Sequence, residues 1–148
     1  MGEGHRLRIG RSSAPGQIYL ITICCDERRA TFDSISNWVC LTRSLGALST
    51  DTYTWCYVAM PDHVHWLMQL NGALDLSRCV QKLKSLTAKQ LRRNGVSSNA
   101  IWQRGFHDRA LREEEDLRAV ARYVIANPVR AGLVDSISDF PFWDAAWI

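Results

Sequence analysis

Two histidines one residue apart, His63 and His65, stand in the run HVHWLMQL, and a tyrosine with chemical prospects, Tyr123, stands in the later run RYVIANPVRAGLV. Two neutral imidazoles at this spacing can bind one divalent ion, provided that the second nitrogen of each ring is held by an outer partner. The bland alternative is a pair of structural or surface histidines, because H-x-H is a short pattern. The five cysteines, Cys24, Cys25, Cys40, Cys56 and Cys79, have no C-x-x-C spacing and offer no evident third ligand for structural zinc. A mixed nitrogen and oxygen set with open water positions fits better. That set suits magnesium or manganese acting as a Lewis acid on a phosphate.

A phenol is a weak nucleophile at neutral pH, but a nearby cation favours its ionised form. Tyr123 and Asn127 are one helical turn apart and face roughly the same way, with Pro128 making that alignment approximate. The Tyr123 oxygen could attack a phosphodiester polarised by a metal ion and form a covalent phosphotyrosine. The departing strand would carry a free hydroxyl, and because the bond energy is conserved a second hydroxyl could reverse the attack. Taken alone, Tyr123 reads first as an amphipathic residue at the edge of a core. Its conjunction with the histidines is what gives it chemistry.

These residues need elements to position them. Residues 18–25 (IYLITICC), 53–60 (YTWCYVAM) and His63–Leu70 carry the β-branched and apolar content of strands. The Pro61-Asp62 turn should join the second and third as an antiparallel pair. Alternation then sends His63 and His65 to one face with Leu67 and Gln69, and Val64, Trp66, Met68 and Leu70 to the other. Asp33 or Ser34 could cap a helix reaching about Leu48, with Ile35, Trp38, Val39, Leu45 and Leu48 near one stripe. A basic helix from Leu76 to Arg93 follows, anchored by Leu76, Val80, Leu83 and Leu91. Residues 101–112 read as a fourth strand with an irregular start at Gly105. Residues 113–126 read as a helix that Asn127-Pro128 interrupts, with Gly132 ending what continues. The order predicts an α+β chain, a single antiparallel sheet of ferredoxin-like type with helices packed mainly on one face. Its expected parts are a basic arm at 1–17, a catalytic domain at 18–134 and an aromatic tail at 135–148 docked on it.

Composition bounds the class. The chain has 148 residues, 47% hydrophobic and 22% charged, with a formal charge of +3, which fits one globular domain rather than a disordered chain. The odd cysteine count argues against a disulfide scaffold and for a reducing compartment. The polar, basic start shows no secretory pattern, and no apolar run approaches a membrane span, so the cytoplasm is expected. Charge is uneven: Arg78, Lys82, Lys84, Lys89, Arg92 and Arg93 gather in the basic helix, while Glu113, Glu114, Glu115 and Asp116 form an acidic run. The helix could face phosphates or present a merely solvated basic face.

The segments YVAMPDHVHWLMQL, CVQKLKSLTAKQLRR, IWQRGFHDRALR and RYVIANPVRAGLV, in that order, resemble the IS200-like single-tyrosine transposases of the HUH (Y1) class. They look most like the branch associated with repetitive extragenic palindromes (REP). The resemblance covers about residues 16–134 and rests on the ordered combination of H-x-H with Y-x-x-x-N-P-V-R-A-G-L. It implies that Tyr123 is the nucleophile, leaving a 5′-phosphotyrosine and a free 3′-hydroxyl. It also implies that His63, His65 and Asn127 are the metal ligands and that magnesium or manganese is the cofactor. The implied partner is single-stranded DNA beside a short imperfect hairpin, met in the bacterial cytoplasm at the nucleoid. The wider family includes dimers that exchange tyrosine helices, and the palindrome-associated branch points to a chain acting singly. Arg6, Arg8, Arg11, Lys82, Lys84, Lys89 and Arg130 are candidate DNA contacts, and His107 and Asp108 are candidates for the metal's outer shell. Two other functions remain open at this level: a hairpin-binding regulator without turnover, and a hydrolytic nuclease in which water attacks and Tyr123 is structural.

Overall fold

The computed structural model describes residues 15–112 and 115–146. The arm residues Arg6, Arg8 and Arg11, together with Glu113, Glu114, Trp147 and Ile148, lie outside the described residues. Five strands form one antiparallel sheet in the order β4-β1-β3-β2-β5. They are β1 (Ile18–Cys24), β2 (Thr52–Met60), β3 (His63–Leu70), β4 (His107–Ala110) and β5 (Trp143–Ala145). The helices are α1 (Ile35–Ala47), α2 (Leu76–Arg93), α3 (Leu117–Ile125) and the single turn α4 (Asn127–Arg130).

Alternation along the strands builds two cores. Ile21 and Ile23 of β1 and Val64, Trp66, Met68 and Leu70 of β3 face α1 and α2, meeting Leu41, Leu45, Cys79, Val80, Leu83 and Leu91. The opposite face carries Cys56, Val58, Met60 and Leu67 under Ala121, Val124 and Ile125 of α3, with Phe140 from the tail. The two long helices therefore share one face, and the shorter α3 covers part of the other. Leu83 is fully buried in the larger core. Leu83→Ala should lower the unfolding free energy by about 2–5 kcal/mol, through lost burial and the cavity left behind. Urea denaturation reads this directly, and a loss under about 1 kcal/mol would argue against close packing of α2 on the sheet.

The helices begin where side chains can satisfy free amides. Ser34 accepts from the Asn37 amide at 3.2 Å, Asp75 from Arg78 at 2.8 Å and Asp116 from Arg118 at 2.9 Å, the capping arrangement favoured by short oxygen-bearing side chains. Asp116 starts α3 later than the sequence pattern suggests. The strand expected over 101–112 shrinks to His107–Ala110, because Gly105 takes a left-handed φ of 71° and Trp102 instead bridges Cys25. The α1 stripe also shifts: Leu41 is buried and Ile35 is exposed. The tail supplies an element that periodicity did not mark, since β5 pairs with the outer edge of β2. All five cysteines are free, and no described helix is long and apolar enough to cross a membrane.

Candidate active site

The register of the sheet builds the site. Thr22, His65 and Val58 lie opposite one another on β1, β3 and β2, and His107 of β4 stands beside Thr22. Directly paired residues share a face, so this row presents His107, Thr22 and His65 on the side covered by α3. His63 lies in the next same-face row, between Cys24 and Met60.

The two imidazoles converge. His63 Nε2 and His65 Nε2 are 3.1 Å apart, with the rings nearly perpendicular. Metal–nitrogen bonds of about 2.0–2.1 Å, taken at angles between square and tetrahedral, place two nitrogens roughly 2.8–3.4 Å apart. The pair therefore has the bite of a single ion. Each second nitrogen is engaged: His63 Nδ1 donates to Asp62 Oδ1 at 2.7 Å, and His65 Nδ1 meets Thr22 Oγ1 at 3.1 Å. When both Nδ1 atoms carry the hydrogen, both Nε2 lone pairs turn to one point, as a metal requires. Burial, then the neighbouring His63 and Arg130, push His65 down to about 4, so it is a neutral imidazole near neutral pH. Burial by itself would raise Asp62, but hydrogen bonds from His63 and Arg28 outweigh it and hold the carboxyl below its usual range. His63 thus has an ionised acceptor.

No group of three or more His, Cys, Asp or Glu residues among the described residues is arranged to hold a metal. Among the described residues, a further protein ligand would be of another type. Asn127 opens α4 on the helical segment that follows Tyr123, and its Nδ2 donates to the Val124 carbonyl at 2.7 Å. The amide nitrogen is thereby occupied, and the oxygen is the atom suited to a cation. The two convergent imidazole nitrogens fit a divalent ion whose other positions are filled by oxygen ligands.

Tyr123 stands on α3 with 64% of its surface exposed, an unusual position for an aromatic ring serving a core. The Arg130 guanidinium lies 3.7 Å from the ring centroid. This cation–π contact gives the exposed ring an orientation. The same Arg130 charge is felt by His65, so the arginine is within electrostatic reach of the histidine face as well as of the tyrosine ring. Both α3 and α4 pack against β2, and Arg109 secures the approach to α3 by donating to both oxygens of Glu115 at 2.8 and 3.1 Å.

The remaining candidates are distributed differently. Asp108 pairs in register with Ile21 and so faces the helix layer, away from the histidine pair. His107 is on the correct face but two strands from His65, roughly 9–10 Å at the backbone. The basic helix α2 packs on the far side of the sheet from the histidines. Lys82 is tied to Asp51 at 2.7 Å, and Lys84 donates to the carbonyls of Gln103 and Gly105 at 2.8 and 2.6 Å. These two lysines hold the chain together. Lys89 instead lines a groove of about 820 Å³ with Arg92, Arg93 and Arg104, beside a half-buried Trp102, and no acidic residue among the described residues contributes to its walls. Sequence reasoning missed Arg104 as part of this groove, and Thr22 and Asp62 as partners of the histidines. Asp62 was detectable as the neighbour of His63, whereas Thr22 becomes visible only through strand register.

Comparison with known proteins agrees with this fold. Residues 16–127 match the family model described as "Transposase IS200 like". A curated protein of Haemophilus influenzae, named "Putative REP-associated tyrosine transposase", is 28% identical over 145 residues, spanning 89% of this chain and 81% of the relative. The REP-associated tyrosine transposase of Escherichia coli K12 is 34% identical over 87 residues, spanning 58% of this chain and 50% of the relative. A solved structure of a REP-associated tyrosine transposase bound to a REP hairpin superposes with a TM-score of 0.74 at 25% identity, covering 90% of this chain and 79% of that one.

Proposed function

The chain belongs to the IS200-like transposase family, and from that premise we propose that it cleaves and rejoins single-stranded DNA beside a short hairpin, with Tyr123 as nucleophile. The observation that carries this reading is the convergence of His63 Nε2 and His65 Nε2 at 3.1 Å on the face that α3 covers. Tyr123 Oη attacks the scissile phosphorus, the bond to the 3′ oxygen breaks, and that oxygen leaves as a 3′-hydroxyl after taking a proton. The 5′-phosphate stays on Tyr123 until a 3′-hydroxyl attacks in turn and restores the phosphodiester. A magnesium or manganese ion held by His63, His65 and Asn127 would supply Lewis-acid polarisation of the phosphate. Arg130 orients the phenol and offers a positive charge toward the developing phenolate. The helices carrying Tyr123 and Asn127 pack on the chain's own β2, which supports a chain acting singly.

Labelled single strands carrying the hairpin, incubated with the protein and manganese, should yield a protein–DNA adduct that survives denaturation. Cleavage without an adduct would point to water as the nucleophile. Binding without cleavage, across metals and sequences, would point to a regulator.

The basic groove between α2 and residues 101–104 adds a place for the hairpin. Among the described residues no carboxylate stands in the groove wall beside its cations, and such a surface tracks phosphates regardless of sequence. Reversing charge at Arg92 and Arg93 together should weaken hairpin binding by about 10–100-fold and flatten the dependence on salt by roughly 0.9 per lost phosphate contact. Lys82→Ala should leave the slope unchanged, because Asp51 already holds that ammonium. Fluorescence anisotropy at several salt concentrations distinguishes the two. An unaltered slope in the Arg92 and Arg93 variant would remove the groove from the reading.

A further inference from the structure

The turn that follows β1 is held in a costly shape. Glu27 and Arg28, neither of them glycine, take left-handed φ values of 52° and 53° in succession, a conformation that side chains with a Cβ disfavour. Strain of this kind persists only where surrounding contacts enforce it, and it gathers at functional sites. The enforcing contacts are present. The Cys25 amide donates to the Asp62 carbonyl at 2.9 Å, the Phe32 amide to the Pro61 carbonyl at 3.0 Å and the Asp26 amide to the Ile101 carbonyl at 2.9 Å. The turn is thus stitched to the hairpin that begins the histidine strand.

The shape delivers one side chain. Arg28 Nε donates to Asp62 Oδ2 at 2.9 Å, while Asp62 Oδ1 accepts from His63 Nδ1 at 2.7 Å. The neighbouring Arg29 is occupied instead by Glu27 and Asp26. A carboxylate with one oxygen free can rotate about its terminal bond and leave the imidazole. With a cation fixed on Oδ2, Oδ1 stays on His63.

We propose that Arg28 is a positioning residue of the histidine pair: its hold on Asp62 keeps His63 in the tautomer and orientation that turn Nε2 toward His65. The metal-binding part of this inference rests on the reading of His63 and His65 as ligands, whereas the tautomer part does not. Outer partners of a metal-bound imidazole set both its basicity and its aim. Arg28 accordingly acts through Asp62 and His63 and touches no reacting atom.

The strain makes the test decisive. Arg28→Gly deletes the guanidinium and simultaneously installs the residue that tolerates a left-handed φ. A merely structural arginine would lose stability with its ion pair. A positioning arginine loses function while the fold holds or gains. In the full-length Arg28→Gly protein the melting temperature should equal or exceed that of the wild type. Manganese affinity without DNA, read by electron paramagnetic resonance of the free ion, should fall about 10–100-fold. Nitrogen-15 spectra of the neutral His63 ring should show one tautomer, protonated at Nδ1, in the wild type and a mixture in the variant. Arg28→Lys, which returns a cation to Oδ2, should recover part of the affinity and most of the tautomer bias. If Arg28→Gly keeps both the wild-type tautomer and the wild-type manganese affinity, the proposal is overturned. Should the wild type bind no manganese, the ligand reading fails, and the tautomer comparison still decides the role of Arg28.

Discussion

Tyr123→Phe should abolish the denaturation-resistant protein–DNA adduct, lowering its rate of formation by about 10⁴-fold or more, the scale on which removal of a covalent nucleophile acts. The substitution deletes one oxygen from a side chain that is 64% exposed. Surface changes of this kind stay within about 0.5 kcal/mol of wild-type stability, so loss of the fold cannot account for the effect. The Arg130 contact is to the ring face, and phenylalanine keeps that face. Hairpin binding should therefore stay within about twofold, since the Phe variant retains every proposed groove cation. The measurement is the time course of adduct formation on labelled DNA, with anisotropy as the binding control. Strand cleavage at an undiminished rate in the Phe variant would falsify the tyrosine mechanism and restore the hydrolytic one.

His65→Ala should be nearly as severe by a different route. His65 stands between Thr22 and His63, so its removal deletes one of two convergent nitrogens and leaves His63 Nε2 facing empty space. Losing an outer partner of a metal ligand typically costs about 10–100-fold in affinity or activity. Losing the ligand itself should exceed that, and adduct formation at a manganese level saturating for wild type should fall about 10³-fold or more. Raising manganese should recover only a small fraction. The ring is half-buried, and its deletion should cost about 1–2 kcal/mol of stability, a typical value for a point substitution. Urea denaturation separates the two effects. Wild-type manganese affinity in the Ala variant would show that the pair is structural.

The placement of the histidines illustrates how far local pattern reaches. Alternation along HVHWLMQL was enough to put His63 and His65 on one side and Trp66 and Met68 on the other, and the sheet has that arrangement. The cap of α1 was equally local, with Asp33 and Ser34 as its two candidates and Ser34 taking the role, because a short oxygen-bearing side chain before an apolar periodicity has few other uses. The fourth strand was overdrawn for the opposite reason. Trp102 leaves the run to bridge Cys25, a competition between distant segments that no window along the chain records. The basic helix misled in a similar way. Its lysines form one charged sequence, yet Lys82 turns to Asp51 while Lys89 joins Arg104 from another segment in the groove.

By itself the sequence determined the α+β order of elements, the shared face of the histidines and the presence of a tyrosine one turn before Asn127, because each depends on spacing within a single strand or helix. Only the tertiary structure decided that Thr22 and Asp62 hold the two Nδ1 atoms and that Arg28 grips Asp62. It also decided that α3 lies on the histidine face while α2 lies behind the sheet, and that the tail becomes β5. These are matters of register and of which apolar face wins burial against which neighbour. The energy that settles them comes from contacts between residues far apart in the chain. For the histidine pair this means that the two rings were legible in advance, and the partners that aim them were not.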